Sequence, residues 1–228
     1  MSKGKFVAFS LIAAALLSWQ IAGVNIATSG TSGIVDPCSS LASSTGGTGC
    51  YLVCPLGDGD RLEDIGATIS IVAKDATGTP LAAVPGPDFW LVGCNDGLVL
   101  CGGGGSINAD SASNANGETT MSGDLSGSGC DLGGVVVVIQ GVLVQDAGNS
   151  CNIQCIPLTT MSPDISGDGG VIDGIVELVD FSSFGAHFDT ENGVDPAYDA
   201  CYDYNCDGFV ELVDFSVFGR HWQHSCQG

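Results

Sequence analysis

The sequence predicts an all-β sandwich followed by a small α-helical module. Three observations carry this. Between residues 66 and 156, short alternating or β-branched runs are separated by Gly/Asp turns. Further on, VELVDFSSFGAHF at 176–188 returns as VELVDFSVFGRHW at 210–222, offset by 34 residues throughout. Self-similarity at a fixed period marks a repeated supersecondary unit. The second copy is entered through closely spaced acids and a glycine, the pattern of a loop that wraps a hard cation.

The chain opens with Lys3 and Lys5, then an apolar run over 6–17, which are the n- and h-regions of a secretory signal. The run is too short to span a bilayer. Residues 1–27 are therefore expected to be removed, leaving a secreted or surface protein with no membrane insertion. No Cys follows closely, which argues against a lipid anchor. The remaining chain holds Arg61, Lys74 and Arg220 against 26 acidic residues. Such a charge excludes nucleic acid and anionic lipid as partners and suits a divalent-cation binder.

Eleven cysteines in an exported chain imply disulfides. The odd count leaves a thiol free or paired between chains, a route to self-association. Cys50-x3-Cys54 and Cys151-x3-Cys155 have a zinc-like look, but no matching His accompanies them and disulfides are the expectation. In the repeat region, Cys201 paired with Cys226 would clasp the module's ends and leave Cys206 as the odd thiol.

Residues 28–65 are a Ser/Thr/Gly-rich lead-in with cysteines, of which 28–48 reads as flexible. Residues 68–71 alternate polar and apolar as a half-buried strand does, and 75–80 is a turn. Asn95-Asp96-Gly97 between the apolar runs 88–94 and 98–101 is a hairpin signal. Gly102 to Gly105 lacks the following Lys and helix of a phosphate cradle. Asn116-Gly117 turns into a strand over 118–122. The run 133–144, GGVVVVIQGVLV, is the most apolar stretch and suits a buried strand. Phe89 and Trp90 are expected in the core. Residues 157–162 read as a linker.

The segment Ile69-x-Ile71-x-x-x-Asp75-x-x-Gly78-x-Pro80, with Asn114-Ala115-Asn116-Gly117-Glu118-Thr119-Thr120 later, resembles bacterial Ig-like domains over residues 66–156. The resemblance implies a spacer or ligand-display module.

In the second repeat, Asp203, Asn205 and Asp207 hold loop positions 1, 3 and 5. Gly208 holds position 6, where a sharp turn favours a residue without a Cβ. Phe209, at position 7, offers its backbone carbonyl; Glu211 and Asp214 fall at 9 and 12. The plain alternative is an Asp/Asn-rich turn with no metal. The first repeat departs from this pattern. Aligning Asp180 with Asp214 puts Asp173 and Gly174 at positions 5 and 6, but Gly169 and Val171 at 1 and 3. Alternatively Asp164, Ser166, Asp168 and Gly169 start the loop, and Gly170 to Gly174 is a five-residue insertion. Both readings remain open on sequence alone. Leu178, Phe181, Phe184 and Phe188 recur at helical spacing, as do Leu212, Phe215, Phe218 and Trp222, so the two stripes are expected to pack on each other.

Tandem calcium loops with Asp at position 12, each with one following helix, resemble a type I dockerin module over about 163–228. An EF-hand proper would have Glu at that position and a helix before the loop. The resemblance implies a non-catalytic, calcium-folded module that docks on a cohesin-like or other extracellular protein. In dockerins, loop positions 10 and 11 often carry partner specificity, frequently as Ser-Thr; here they are Leu178-Val179 and Leu212-Val213, which would meet a partner through apolar contact.

No catalytic constellation is legible, so the chain is read as a non-enzyme. His187 and His221 are repeat-equivalent, which favours a structural role. His221-x-x-His224 is a weak metal signal without a carboxylate. Two other readings stand beside docking: a matrix or filament subunit rigidified by calcium and disulfides, and a dockerin-tagged polysaccharide hydrolase. The loops carry enough close acids to predict that metal removal unfolds the module alone.

Overall fold

The computed structural model describes residues 33–44, 46, 49–101, 108–146, 155–167 and 171–226. The expected signal segment, the glycine loop at 102–105, Cys151 and Asp168 lie outside the described residues. Ser32–Gly228 forms one compact unit. Among the described residues no helix is long and apolar enough to cross a membrane.

The elements are β1 (Leu41–Ser44), β2 (Cys50–Leu52), β3 (Ile69–Val72), β4 (Phe89–Gly93), β5 (Leu98–Leu100), β6 (Glu118–Met121), β7 (Gly127–Asp131), β8 (Val135–Ile139), β9 (Val142–Leu143), β10 (Gln145–Asp146), β11 (Thr159–Met161), α1 (Leu178–His187), β12 (Thr190–Glu191), β13 (Phe209–Val210) and α2 (Leu212–Arg220). The chain is thus mostly β with two short helices at its end.

The sheets run β10-β1-β3-β6, β2-β11-β7-β5, β4-β8-β9 and β12-β13. β8 is β-branched at every position and buried throughout, as a strand covered on both faces should be. Gln140 and Gly141, at φ 51 and 84, turn it into β9, the positive-φ pair a tight hairpin needs. One core joins Ile69 and Ile71 of β3, Phe89 and Leu91 of β4, and Val135, Val137 and Ile139 of β8. Phe89 is buried as expected, whereas Trp90 is half-buried.

Four expectations are corrected. β4 and β5 do not form a hairpin: β4 pairs with β8 and β5 with β7. The buried Asp131 carboxylate explains the parting. It accepts the N–H groups of Asn95 (2.7 Å), Gly97 (3.3 Å) and Gly133 (2.8 Å), gathering two turns into a corner. The lead-in contributes β1 inside the stretch expected to be flexible, and β2 just beyond it. The 157–162 linker contains β11, which pairs parallel with β2 and antiparallel with β7. Pro157 and Pro163 bracket it, and proline is at home at strand ends.

The fourth correction is the cysteine pairing. Cys201 bonds to Cys130, Cys226 to Cys101, Cys206 to Cys50 and Cys155 to Cys94. The first three run from the helical region into the β-body, with Cα atoms 5.3–5.9 Å apart, within bridging range. Among the described residues the free thiol is Cys54, which is buried, so it offers no ready link to a second chain. The cause lies in the second core. Val176, Phe184, Tyr202, Tyr204, Val210 and Phe218 are completed by Leu52 of β2 and Met161 of β11. A repeat region of about 60 residues buries too little on its own, and the sheet supplies the missing face.

Candidate metal-binding loops

The two repeats are built on one frame, used twice. Glu191 pairs with Phe209, and their repeat equivalents Ser225 and Ile175 form the matching bridge. Asn192 N–H reaches Gly208 O at 2.9 Å, and Cys226 N–H reaches Gly174 O at 2.8 Å. Gly208 and Gly174 sit at φ 91 and 82, where a Cβ is strained. Asp189 and Gln223 sit at φ 61 and 63. Each loop thus leans on a short extended segment of its neighbour.

Within the second loop, alternate side chains fold back on the backbone. Asp203 accepts N–H groups of Asp207 (3.2 Å) and Gly208 (2.9 Å), and the Tyr198 hydroxyl donates to it at 2.8 Å. Asp207 accepts the N–H of Phe209 (3.0 Å), and Asn205 that of Asp207 (3.1 Å). Asp214 accepts the N–H of Tyr204 (2.7 Å) and of Glu211 (2.9 Å). Glu211 is the N-cap of α2 and completes a reciprocal capping box with Asp214. Asp203 and Asp214 are buried; Asn205, Asp207 and Glu211 face solvent, and Phe209 projects its ring outward.

The first loop repeats these bonds and thereby decides its alignment. Asp180 accepts the N–H groups of Ile165, Ser166 and Glu177 (2.9, 2.9 and 2.8 Å), as Asp214 does those of Tyr204 and Glu211. Asp173 accepts the N–H of Ile175 (3.0 Å), as Asp207 does that of Phe209. Asp164 therefore stands at position 1, Ser166 at 3, Asp173 and Gly174 at 5 and 6, and Asp180 at 12. This corrects both sequence alignments: Asp164 and Ser166 start the loop, not Gly169 and Val171, and positions 5 and 6 fall to Asp173 and Gly174, not Asp168 and Gly169, so the five extra residues lie between Ser166 and Asp173. Gly167 lies so close to the Asp173 carboxylate and the Val171 carbonyl that a side chain there would collide with them.

Asp164 is the outlier. It is fully buried, and neither carboxylate oxygen receives a well-aligned hydrogen bond of the kind Asp203 accepts. Burial pushes its pKa up to about 7; the nearby Ser128 hydroxyl opposes the rise, Asp180 and Asp173 add to it, and the Gly174 N–H opposes it weakly. Burial also raises Asp180 and Asp214, against the N–H groups that hold them. Among the described residues no salt bridge reaches a loop carboxylate. An orphaned buried carboxylate facing two more acids fits a hard, oxygen-seeking cation. The Tyr198 hydroxyl on Asp203 and the Ser128 contact were not legible, since neither falls at a loop position.

The two helices meet through aromatic rings. Phe184 stacks on Phe218 with centroids 5.6 Å apart, and Phe181 approaches Phe215 at 6.1 Å. The packed stripe is narrower than its spacing predicts. Phe184 and Phe218 are buried, whereas Leu178 and Leu212 are 66% and 67% exposed. Val213 is also exposed and Val179 half-buried. An apolar cleft of about 350 Å³ opens between the helices, lined by Phe181, Phe184, Gly185, Phe188, Leu212 and Phe215.

No known family profile matches the chain, and no curated protein matches it. Two solved chains from mutant type II cohesin–X-dockerin complexes of Acetivibrio cellulolyticus align with 82% of this chain and 97% of their own. One complex is altered at the N-terminal interface and the other at the C-terminal interface. Both chains are 15% identical to this one, at a TM-score of 0.29. Overlap that loose lies below the level of a shared fold, and the architecture above stands on its own geometry.

Proposed function

We propose that the repeat region is a calcium-folded docking module of dockerin type, carried by an Ig-like β-sandwich on a secreted, non-catalytic protein. Calcium is held in the second loop by Asp203, Asn205, Asp207, Glu211, Asp214 and the carbonyl of Phe209. In the first it is held by Asp164, Ser166, Asp173 and Asp180. The partner, a cohesin-like or other extracellular protein, is met by Leu178, Val179, Leu212 and Val213.

The observation that carries this reading is the symmetric frame. Two loops that share the bonds to Asp180 and Asp214 and to Asp173 and Asp207 bring two equivalent leucines to the starts of α1 and α2 and leave them in solvent. Leu212 joins the exposed rings of Phe181, Phe188 and Phe215 around one cleft, and a contiguous exposed apolar patch marks an interaction surface. The test pairs calorimetric calcium titration with binding to a panel of extracellular cohesin domains, with and without EGTA. Two calcium equivalents and calcium-dependent capture are expected. Leu178→Asp with Leu212→Asp should leave the melting temperature within about 2 °C, since both side chains are exposed, and should abolish capture. Capture unchanged by the double variant, or by EGTA, would sink the docking role.

A second reading rests on the three disulfides that cross from the β-body to the repeats. They favour a matrix or filament subunit in which the ion only rigidifies. Calcium-driven self-assembly of the pure protein, seen by light scattering, would select it.

A further inference from the structure

Cys54 and Asp58 come from the turn after β2; His221 and His224 come from the turn after α2. The Gly57 N–H closes on Cys54 O at 2.8 Å, and the Asp60 N–H on Leu52 O at 2.9 Å, so the first turn is tight. The second is equally tight: His224 N–H reaches His221 O at 3.1 Å. The positive φ of Gln223 lets its N–H bond Val176 O at 2.9 Å. The Cys101–Cys226 disulfide, with Cys101 Sγ 3.4 Å from Pro55 O, pins the two turns together.

Four ligand-type atoms then converge. Cys54 Sγ lies 3.2 Å from His224 Nδ1, which lies 3.2 Å from Asp58 Oδ1 and 3.4 Å from His221 Nδ1. His221 Nδ1 is 3.4 Å from Asp58 Oδ1. All four atoms fall within 4.8 Å of one another. Tetrahedral bonds of about 2.0–2.3 Å separate their ligands by roughly 3.3–3.6 Å, close to the spacing found.

The geometry points to a second metal site, distinct from the acidic loops: a tetrahedral Cys54–Asp58–His221–His224 centre for a zinc-class divalent ion. Thiolate and imidazole select a borderline-soft ion over calcium or magnesium. Four protein ligands with none left open define a structural site. It would clasp the end of α2 to the β-body, with the Cys54 proton released to solvent on binding.

A Cys–His–Asp relay is the competing use of these groups, and the arrangement opposes it. A relay needs acid and nucleophile on opposite ring nitrogens. Here Cys54 and Asp58 crowd the same atom, Nδ1 of His224. Cys54 is also buried away from any substrate, and burial together with Asp58 pushes its thiol up to about 12, the reverse of an activated nucleophile. His187, the repeat equivalent of His221, joins no such group; its ring stacks on Tyr202 at 4.3 Å and its Nδ1 meets Ala197 O.

The test uses the full disulfide-bonded protein, stripped with chelator and then held in excess calcium to occupy the acidic loops. Titration with cobalt(II) alone should give a thiolate-to-cobalt charge-transfer band that saturates at one equivalent and is displaced by zinc. Cys54→Ser should remove the band. Asp58→Asn, at a solvent-facing position, should keep the near-ultraviolet dichroism of the fold and weaken cobalt affinity more than tenfold. Absence of the band in the wild-type protein, its survival in Cys54→Ser, or unchanged affinity in folded Asp58→Asn would each overturn the site. None of these outcomes depends on the calcium reading.

Discussion

Asp164 carries the most information of any single residue in the loops. Its carboxyl is buried with no well-aligned hydrogen bond, and its pKa of about 7 stands well above the ordinary 3.8. In chelator the fold favours the protonated form. That contribution is complete below 3.8 and is lost as pH climbs through about 7, amounting to roughly 2–4 kcal/mol once the loop relaxes. The metal-free protein should therefore melt higher near pH 5 than near pH 8. Asp164→Asn should flatten the Asp164 share of that slope in EDTA, yet lower the melting temperature in calcium. Equal slopes for wild type and variant in EDTA would show that Asp164 is not held as a buried acid. The residue was visible in the sequence, and the start of the loop was one of two positions the spacing left open for it. Five extra residues break the spacing, and only the N–H groups that converge on Asp180 restore the register. Cys54 and Asp58 were hidden for a different reason: they stand more than 160 residues before the histidines they face, and no local spacing encodes that approach.

At the scale of the element, each loop and its helix share one carboxylate. Asp214 is at once the last loop position, a partner for Tyr204 N–H and half of the capping box of α2. The Asp207 carboxylate accepts local turn bonds at the surface, from the Phe209 N–H and the Asn205 amide. The two should therefore separate under chelation. Asp214→Ala should cost about 1–2 kcal/mol even in EDTA, because the cap is lost with or without an ion. Asp207→Ala should cost little in EDTA and show its effect only in calcium. Urea melts of both variants in each condition measure this; equal losses in EDTA would contradict the division of labour. The helices and the second loop were legible because their signals are local: a period, a cap and a spacing. The β4–β5 hairpin was misread because Asn-Asp-Gly specifies a turn but not the partner strand. The choice is made by Asp131, more than 30 residues further on, which holds the corner open.

At the scale of the whole molecule, the sequence divides where the structure does not. Repeats, prolines and a change of texture suggest a module that could melt alone. Yet the repeats' core is closed by Leu52 and Met161, β11 is a sheet strand, and three disulfides cross the boundary. Each cross-link joins residues 71–156 apart in sequence, and a native disulfide of that reach commonly contributes about 2–5 kcal/mol by restricting the unfolded chain. Metal removal cannot then unfold the repeats without stripping cover from β2 and β11. The expectation becomes one cooperative calorimetric transition in calcium and one in EDTA, with the second displaced downward, because ion binding stabilises the whole folded unit. Reduction should change the pattern: with the cross-links gone, the metal-free repeats lose their hold on the sheet and a second, lower transition should appear. Two transitions in the oxidised protein, with only one moved by calcium, would show that the boundary read from the sequence is energetically real despite the shared core.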